Sequence, residues 1–164
     1  TPSTKKADAA SYKAYLCLQT AKFTFRNQHD DAKFSNKLQN TTNKLSKNSV
    51  KFKDTTMKKG KKTYTVQLTG LNKCIAKDKT FNTLYVDTNI KGKDKKKVTV
   101  TNVKVFFDGK KVKTIKKGVL TPDPGQTDGF VQLQIINMWN SRVAKFKYTM
   151  PKKTIKVTYT VKIK

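Results

Sequence analysis

The closing stretch TIKVTYTVKIK, Thr154 to Lys164, alternates without a break: Ile155, Val157, Tyr159, Val161 and Ile163 fall on one side, Lys and Thr on the other. An extended backbone sends successive side chains to opposite faces, so this pattern predicts a β-strand with one buried and one wet face. Strands of that kind belong to antiparallel sheets that close against a second sheet.

Upstream, VTVTNVKVFFDGKKVKTI, Val98 to Ile115, holds two alternating runs around Asp108-Gly109, the mark of a two-residue hairpin turn. Val50 to Lys53, Thr63 to Thr69 (TYTVQLT) and Phe81 to Thr88 (FNTLYVDT) read as further short strands. FVQLQIINMWN puts Val131, Leu133, Ile135, Asn137 and Trp139 on one face. Near the start, Leu16 and Leu18 and then Phe23 and Phe25 keep a period of two but change parity, which predicts a bulge or kink around Thr20 to Lys22. Asp31 to Ser49, rich in Asn and Lys, reads as a long loop, and TPDPGQTDG, Thr121 to Gly129, as another. Many short strands and no long helix predict an all-β chain, an antiparallel β-sandwich of jelly-roll type. At 164 residues one domain is expected, 14–164, behind a linker-like segment 1–13.

The charge is lopsided. There are 37 basic residues against 10 acidic ones, a formal +27; every acid is Asp, and every base except Arg26 and Arg142 is Lys. Such an excess suits a polyanion, yet phosphate clamping and base reading favour guanidinium, so nucleic acid is not the expected partner. Lys also solvates strand exteriors and blunts sheet edges. No apolar run is long enough to span a bilayer. Cys17 and Cys74 can form one disulfide or stand as two buried thiols.

FTFRNQHDD, Phe23 to Asp31, gathers the single histidine, one arginine and two adjacent aspartates after a strand-like run. An enzyme using histidine would have to work through His29, with Asp30 beside it. Asp30 and Asp31 point to opposite faces of any strand, no Glu is present, and no nucleophile elbow, zinc helix, phosphate loop or dinucleotide fingerprint occurs. A catalytic role is not expected. No cofactor motif is present; a structural calcium held by backbone carbonyls leaves no mark in a sequence, so metal content stays open. Haem-binding modules of similar size carry Tyr-x-x-x-Tyr on a late strand, whereas the position four after Tyr159 is Ile163.

Sugars stack their apolar faces on Trp or Tyr and bond their hydroxyls to planar side chains. The only tryptophan, Trp139, lies in NMWN between Asn137 and Asn140, and the opening strand end supplies Arg26, Asn27, His29 and Asp30. Side by side, the two strand ends would make one polar cluster with an aromatic floor. The opposing reading makes Trp139 a core residue, pairs Arg26 with Asp30 structurally, and leaves Tyr12, Tyr64 and Tyr85 as exposed platforms.

The set AYLCLQTAKFTFRNQHDD, YTVQLTGL, FNTLYVDTNI, VKVFFDGKKV, INMWN and YTMP resembles the starch- and glycan-associated β-sandwich modules of extracellular, multidomain proteins from gut-dwelling Gram-positive bacteria. That resemblance implies secretion or display on the cell surface, a monomeric module of a larger protein, no catalysis, and binding of a polysaccharide, with an α-glucan as first candidate. The expected site is Trp139 for stacking with Arg26, Asn27, His29, Asp30, Asn137 and Asn140 as polar readers. The alternative is a basic adhesin or wall-spacer module that holds anionic polymers such as teichoic acid, mucin or glycosaminoglycan through its lysines.

Overall fold

A computed structural model describes residues 11–26, 51–75, 77–122 and 129–164. Among the described residues thirteen strands run in chain order: β1 Ser11–Gln19, β2 Thr24–Phe25, β3 Lys51–Lys53, β4 Thr55–Lys58, β5 Gly60–Thr69, β6 Thr80–Phe81, β7 Thr83–Lys91, β8 Val98–Phe107, β9 Lys110–Lys117, β10 Val119–Thr121, β11 Phe130–Asn137, β12 Tyr148–Thr149 and β13 Thr154–Ile163. One sheet is ordered β10-β11-β7-β1-β2 with β4 also on β1, and the other β3-β5-β13-β8-β9. β6 and β12 form a separate two-residue ladder, and all pairs are antiparallel. The chain is an all-β sandwich, as the alternation predicts. β1 begins at Ser11, so it takes in Ser11, Tyr12 and Lys13 from the segment expected as linker.

The closing strand is the axis of its sheet. β13 pairs with β5 from Thr154↔Thr69 to Ile163↔Gly60 and with β8 on its other side. Its Ile155, Val157, Tyr159, Val161 and Ile163 are all buried, against Val66 and Leu68 of β5, Val103 and Val105 of β8 and the inward residues of the first sheet such as Leu16, Leu84 and Leu133. Each fully buried aliphatic side chain of this set contributes about 2 kcal/mol. The first sheet behaves differently from a wet-faced one: Tyr15, Cys17, Tyr85, Asp87, Gln132 and Gln134, on its outer face, are buried as well.

One local expectation is refined and a second holds. The parity change after Leu18 is not a bulge within one strand. It is a hairpin turn in which the Thr20 hydroxyl accepts the N–H groups of Lys22 and Phe23 at 3.0 Å each, bringing Phe25 opposite Leu18. The Asp108-Gly109 turn forms as expected, with φ of 51° and 86° at its two residues, the left-handed pair that two-residue hairpins need.

Asp108 does more than turn the chain. Its carboxylate accepts the backbone N–H groups of Lys152, Lys153 and Thr154 at 2.8, 2.8 and 2.9 Å, pinning the hairpin to the start of β13. Desolvation pushes this carboxyl up, but the donors of Lys153, Lys152 and Thr154 and the Lys152 charge outweigh it and hold it below its ordinary value of 3.8. A lowered folded value gives stability that is present above the unfolded value and lost as pH falls through the folded one. Asp108→Ala is therefore expected to cost about 1 kcal/mol near neutral pH, held low by solvent screening. In urea titrations the gap to the parent should close under acid; a gap constant with pH would mean that the charge is not what stabilises this corner.

Gly118 lies where the chain leaves β9 in one sheet for β10 in the other, its N–H bonded to the Val100 carbonyl at 2.8 Å. A Cβ there would stand 2.7 Å from Leu133 Cδ1 and 2.9 Å from Val100 Cγ1. Gly118→Ala is expected to lower stability by about 1–3 kcal/mol through overpacking, visible as a lower urea midpoint.

Candidate functional site

Trp139 is 65% exposed. The core position expected from alternation does not hold, because β11 carries a bulge: Leu133 pairs with Val86 and Ile136 with Leu84, so Ile135 is an extra residue and parity flips beyond it. Ile136 turns inward, and the strand ends at Asn137. Trp139 falls in the following turn.

That turn is locked by the two flanking asparagines. The Asn137 side-chain oxygen accepts the Trp139 N–H at 2.9 Å, and its amide donates to Gln134 Oε1 at 3.1 Å. The Asn140 side-chain oxygen accepts the Arg142 N–H at 3.0 Å, and its amide reaches the Pro122 carbonyl at 3.4 Å. Backbone bonds from Asn137 N to Ala144 O and from Met138 N to Asn82 O tie the loop to the sheet end. Both asparagines are buried and their side chains are bonded within the turn, Asn137 to the backbone of Trp139 itself. Local hydrogen bonding of this kind is what Asn two residues before a turn residue favours.

Arg142 joins the site although the sequence reading passes over it. Exposed on the same turn, it donates from Nη1 to the Thr121 hydroxyl at 3.0 Å, which fixes a planar fork three residues beyond Trp139. Its signal in the sequence is rarity, as one of only two arginines, and its place directly after a turn-forming Asn-Ser. Phe146, also exposed, lies further along the connection, edge-on to Tyr148 at 5.0 Å.

Arg26 lies elsewhere. Asn137 pairs with Thr83 on β7, Thr83 with Gln19 on β1, and Gln19 with Thr24 on β2, so two strands separate the Trp139 turn from the strand that leads into Arg26. At about 4.8 Å per strand this is roughly 14 Å, and the two strand ends do not lie side by side. Arg26 is buried, forked onto Asp54 at 2.7 and 2.8 Å, with its guanidinium carbon 4.0 Å from the Tyr15 ring centre and 4.7 Å from that of Phe52. Arg26 is held in a structural ion pair with Asp54. Asn27, His29 and Asp30 lie outside the described residues.

The other aromatic platforms are not exposed: Tyr64 and Tyr85 are buried, and Tyr12 packs against the core. Cys17 and Cys74 are free, buried thiols in different layers, Cys17 with Tyr15 and Tyr85 and Cys74 in the main core. Burial pushes both thiols up; Asp87 pushes Cys17 further, and Lys77 pulls Cys74 back. Neither offers a thiolate nucleophile at neutral pH. Among the described residues no group of three or more His, Cys, Asp or Glu is placed to hold a metal ion, and no helix is long and apolar enough to cross a membrane. Comparison with family models, with curated proteins and with solved structures finds no match, so the function is read from this geometry and its chemistry.

Proposed function

We propose that the chain is a non-catalytic carbohydrate-binding module of a secreted or surface-displayed protein, which holds a polysaccharide, an α-glucan first, against the Trp139 indole. The observation that carries this reading is an exposed tryptophan on a turn whose backbone is fixed by Asn137 and Asn140. An exposed indole on a turn fixed by hydrogen bonds offers a flat apolar face on which a sugar ring can stack. Arg142, on the same turn and held by Thr121, is the planar donor we assign to the sugar hydroxyls.

The topology is compatible with a jelly roll. The long strands β1, β5, β7, β8, β9, β11 and β13, numbered in chain order, lie 2-7-4-5 in one sheet and 6-3-1 in the other. An eight-stranded jelly roll runs 2-7-4-5 and 6-3-8-1. The difference is that β7 pairs directly with β1.

The reading is tested by retention on immobilised amylose, other neutral polysaccharides and acidic polymers at low and high salt. Retention on a neutral glucan at both salts is expected, since stacking is not screened. Failure to bind any neutral glycan would remove the proposal.

A further inference from the structure

The outer face of the β3-β5-β13-β8-β9 sheet carries a second surface, remote from the Trp139 turn, which belongs to the other sheet. By register, Lys61 of β5 stands directly opposite Lys162 of β13, Lys104 of β8 opposite Thr158, and Lys156 opposite Gln67 and Phe106. Lys156 Nζ lies 4.5 Å from the Phe106 ring centre, which places both on this face. Edge strands add Lys53 opposite Gln67 and Lys117 opposite Thr101.

Among the described residues no carboxylate is within ion-pair distance of these cations, and the nearest approach is Asp108, which shares a recess with Gln67 and Lys156 at one end of the face. Asp54 is paired with Arg26, Asp87 is buried in the first sheet, Asp94 meets Lys97, Asp108 caps the start of β13, and Asp78 lies in the connection before β6. Like charges directly across a strand pair are destabilising, and an acid at either position would relieve Lys61 and Lys162. Edge protection accounts for lysines on β3 and β9 but not for those on β8 and β13, which have neighbours on both sides.

Between the lysines lie short hydroxyl side chains. Thr63 and Thr65 on β5, Thr158 and Thr160 on β13 and Thr101 on β8 share the face by register, and the Thr63 and Thr160 hydroxyls bond at 2.9 Å. The face is therefore cationic and dense in hydroxyls that both donate and accept. Lys156 and Lys162, six residues apart on one strand, span about 20 Å, and five strands make a similar width. A long chain can lie across it without a groove.

We infer that this face binds an acidic polysaccharide, sulfated or uronate, with the lysines meeting the anionic groups and the threonines the sugar hydroxyls. The occupant is chosen by charge complementarity together with the hydroxyl rows, since lysines without guanidinium forks suit dispersed anions better than clamped phosphates. This site is independent of the Trp139 platform.

The test is titration of the full chain with heparin oligosaccharide and with polygalacturonate across a salt series. The parent is compared with a face variant, Lys104→Gln, Lys156→Gln and Lys162→Gln together, and with a control of equal charge change, Lys93→Gln, Lys95→Gln and Lys96→Gln, in the 3-10 turn Gly92–Lys97. The face variant should bind about tenfold more weakly and lose up to three from the slope of log affinity against log salt. Its thermal midpoint should stay level or rise as repulsion is relieved, the control should change little, and Trp139→Ala should bind as the parent does. Equal weakening in face variant and control would reduce the effect to diffuse net charge and overturn the assignment. So would absence of binding to either polymer, or duplex DNA bound as tightly as the polysaccharides.

Discussion

Replacing Arg26 with alanine is expected to lower stability by about 3 kcal/mol, more than the loss at Asp108 or Gly118. The side chain is 1% exposed, lies between the rings of Tyr15 and Phe52, and forks onto Asp54. Its place explains the size of the effect. Lys53 pairs with Gln67 in one sheet and Thr55 with Ala14 in the other, so Asp54 is the residue at which the chain crosses between sheets. Along the edge of β1, β4 covers Ser11 to Ala14 and β2 covers Leu18 and Gln19, and Arg26 fills the interval beside Tyr15. Removing the guanidinium opens a void between two rings and strands a carboxylate.

Because the Asp54 side chain keeps 28% of its exposure, water recovers part of that loss, which puts the cost at the low end of the range for buried pairs. Asp54→Ala takes the bidentate acceptor from the more deeply buried partner and should cost a similar amount. Arg26→Lys keeps the charge but loses the fork and the stacked plane, for about 2 kcal/mol. Urea unfolding of the two alanine variants and their double mutant gives the coupling energy. A single-mutant cost under about 1 kcal/mol would mean that the pair behaves as an ordinary surface salt bridge. Sugar retention by Arg26→Lys should match the parent, since Arg26 and Trp139 stand on separate parts of the sheet.

The fold is legible in the sequence where alternation is clean and one face is wet. β13 and the β8–β9 hairpin follow period two and the Asp-Gly turn, and both form as read. The first sheet is harder because both of its faces are buried, so Gln132, Gln134 and Asp87 carry polar side chains where period two alone would place solvent. The two readings of Trp139, platform and core, part at one residue. Ile135 is apolar like Ile136 after it, and nothing in FVQLQIINMWN says which of the two isoleucines is bulged. Extending the alternation through it carries Trp139 into the core. Arg26 escapes for a different reason: Asp54 is 28 positions away in sequence, and a crossover between sheets leaves no local pattern. Asn137 and Asn140 stand out in the sequence, and in the structure their side chains bond within the turn, as an Asn in a turn often does.

Trp139→Ala is expected to weaken polysaccharide binding roughly 50- to 100-fold while leaving the fold in place. Covering about 100 Å² of the exposed indole at about 25 cal/mol per Å² contributes about 2.5 kcal/mol, which sets that factor. The turn does not depend on the indole: Asn137 holds the residue through its backbone N–H, which alanine keeps. The thermal midpoint should therefore shift by no more than about 0.5 kcal/mol allows. Trp139→Phe should retain part of the affinity, because a smaller ring still offers a face. Asn137→Ala removes the bond that fixes the platform together with a buried amide, and should lower stability and affinity together. The pair separates the roles, with affinity lost at constant stability for the platform and both lost for its support. Unchanged retention by Trp139→Ala would show that the indole is not the contact surface and would return the glycan, if one is bound, to another part of the molecule.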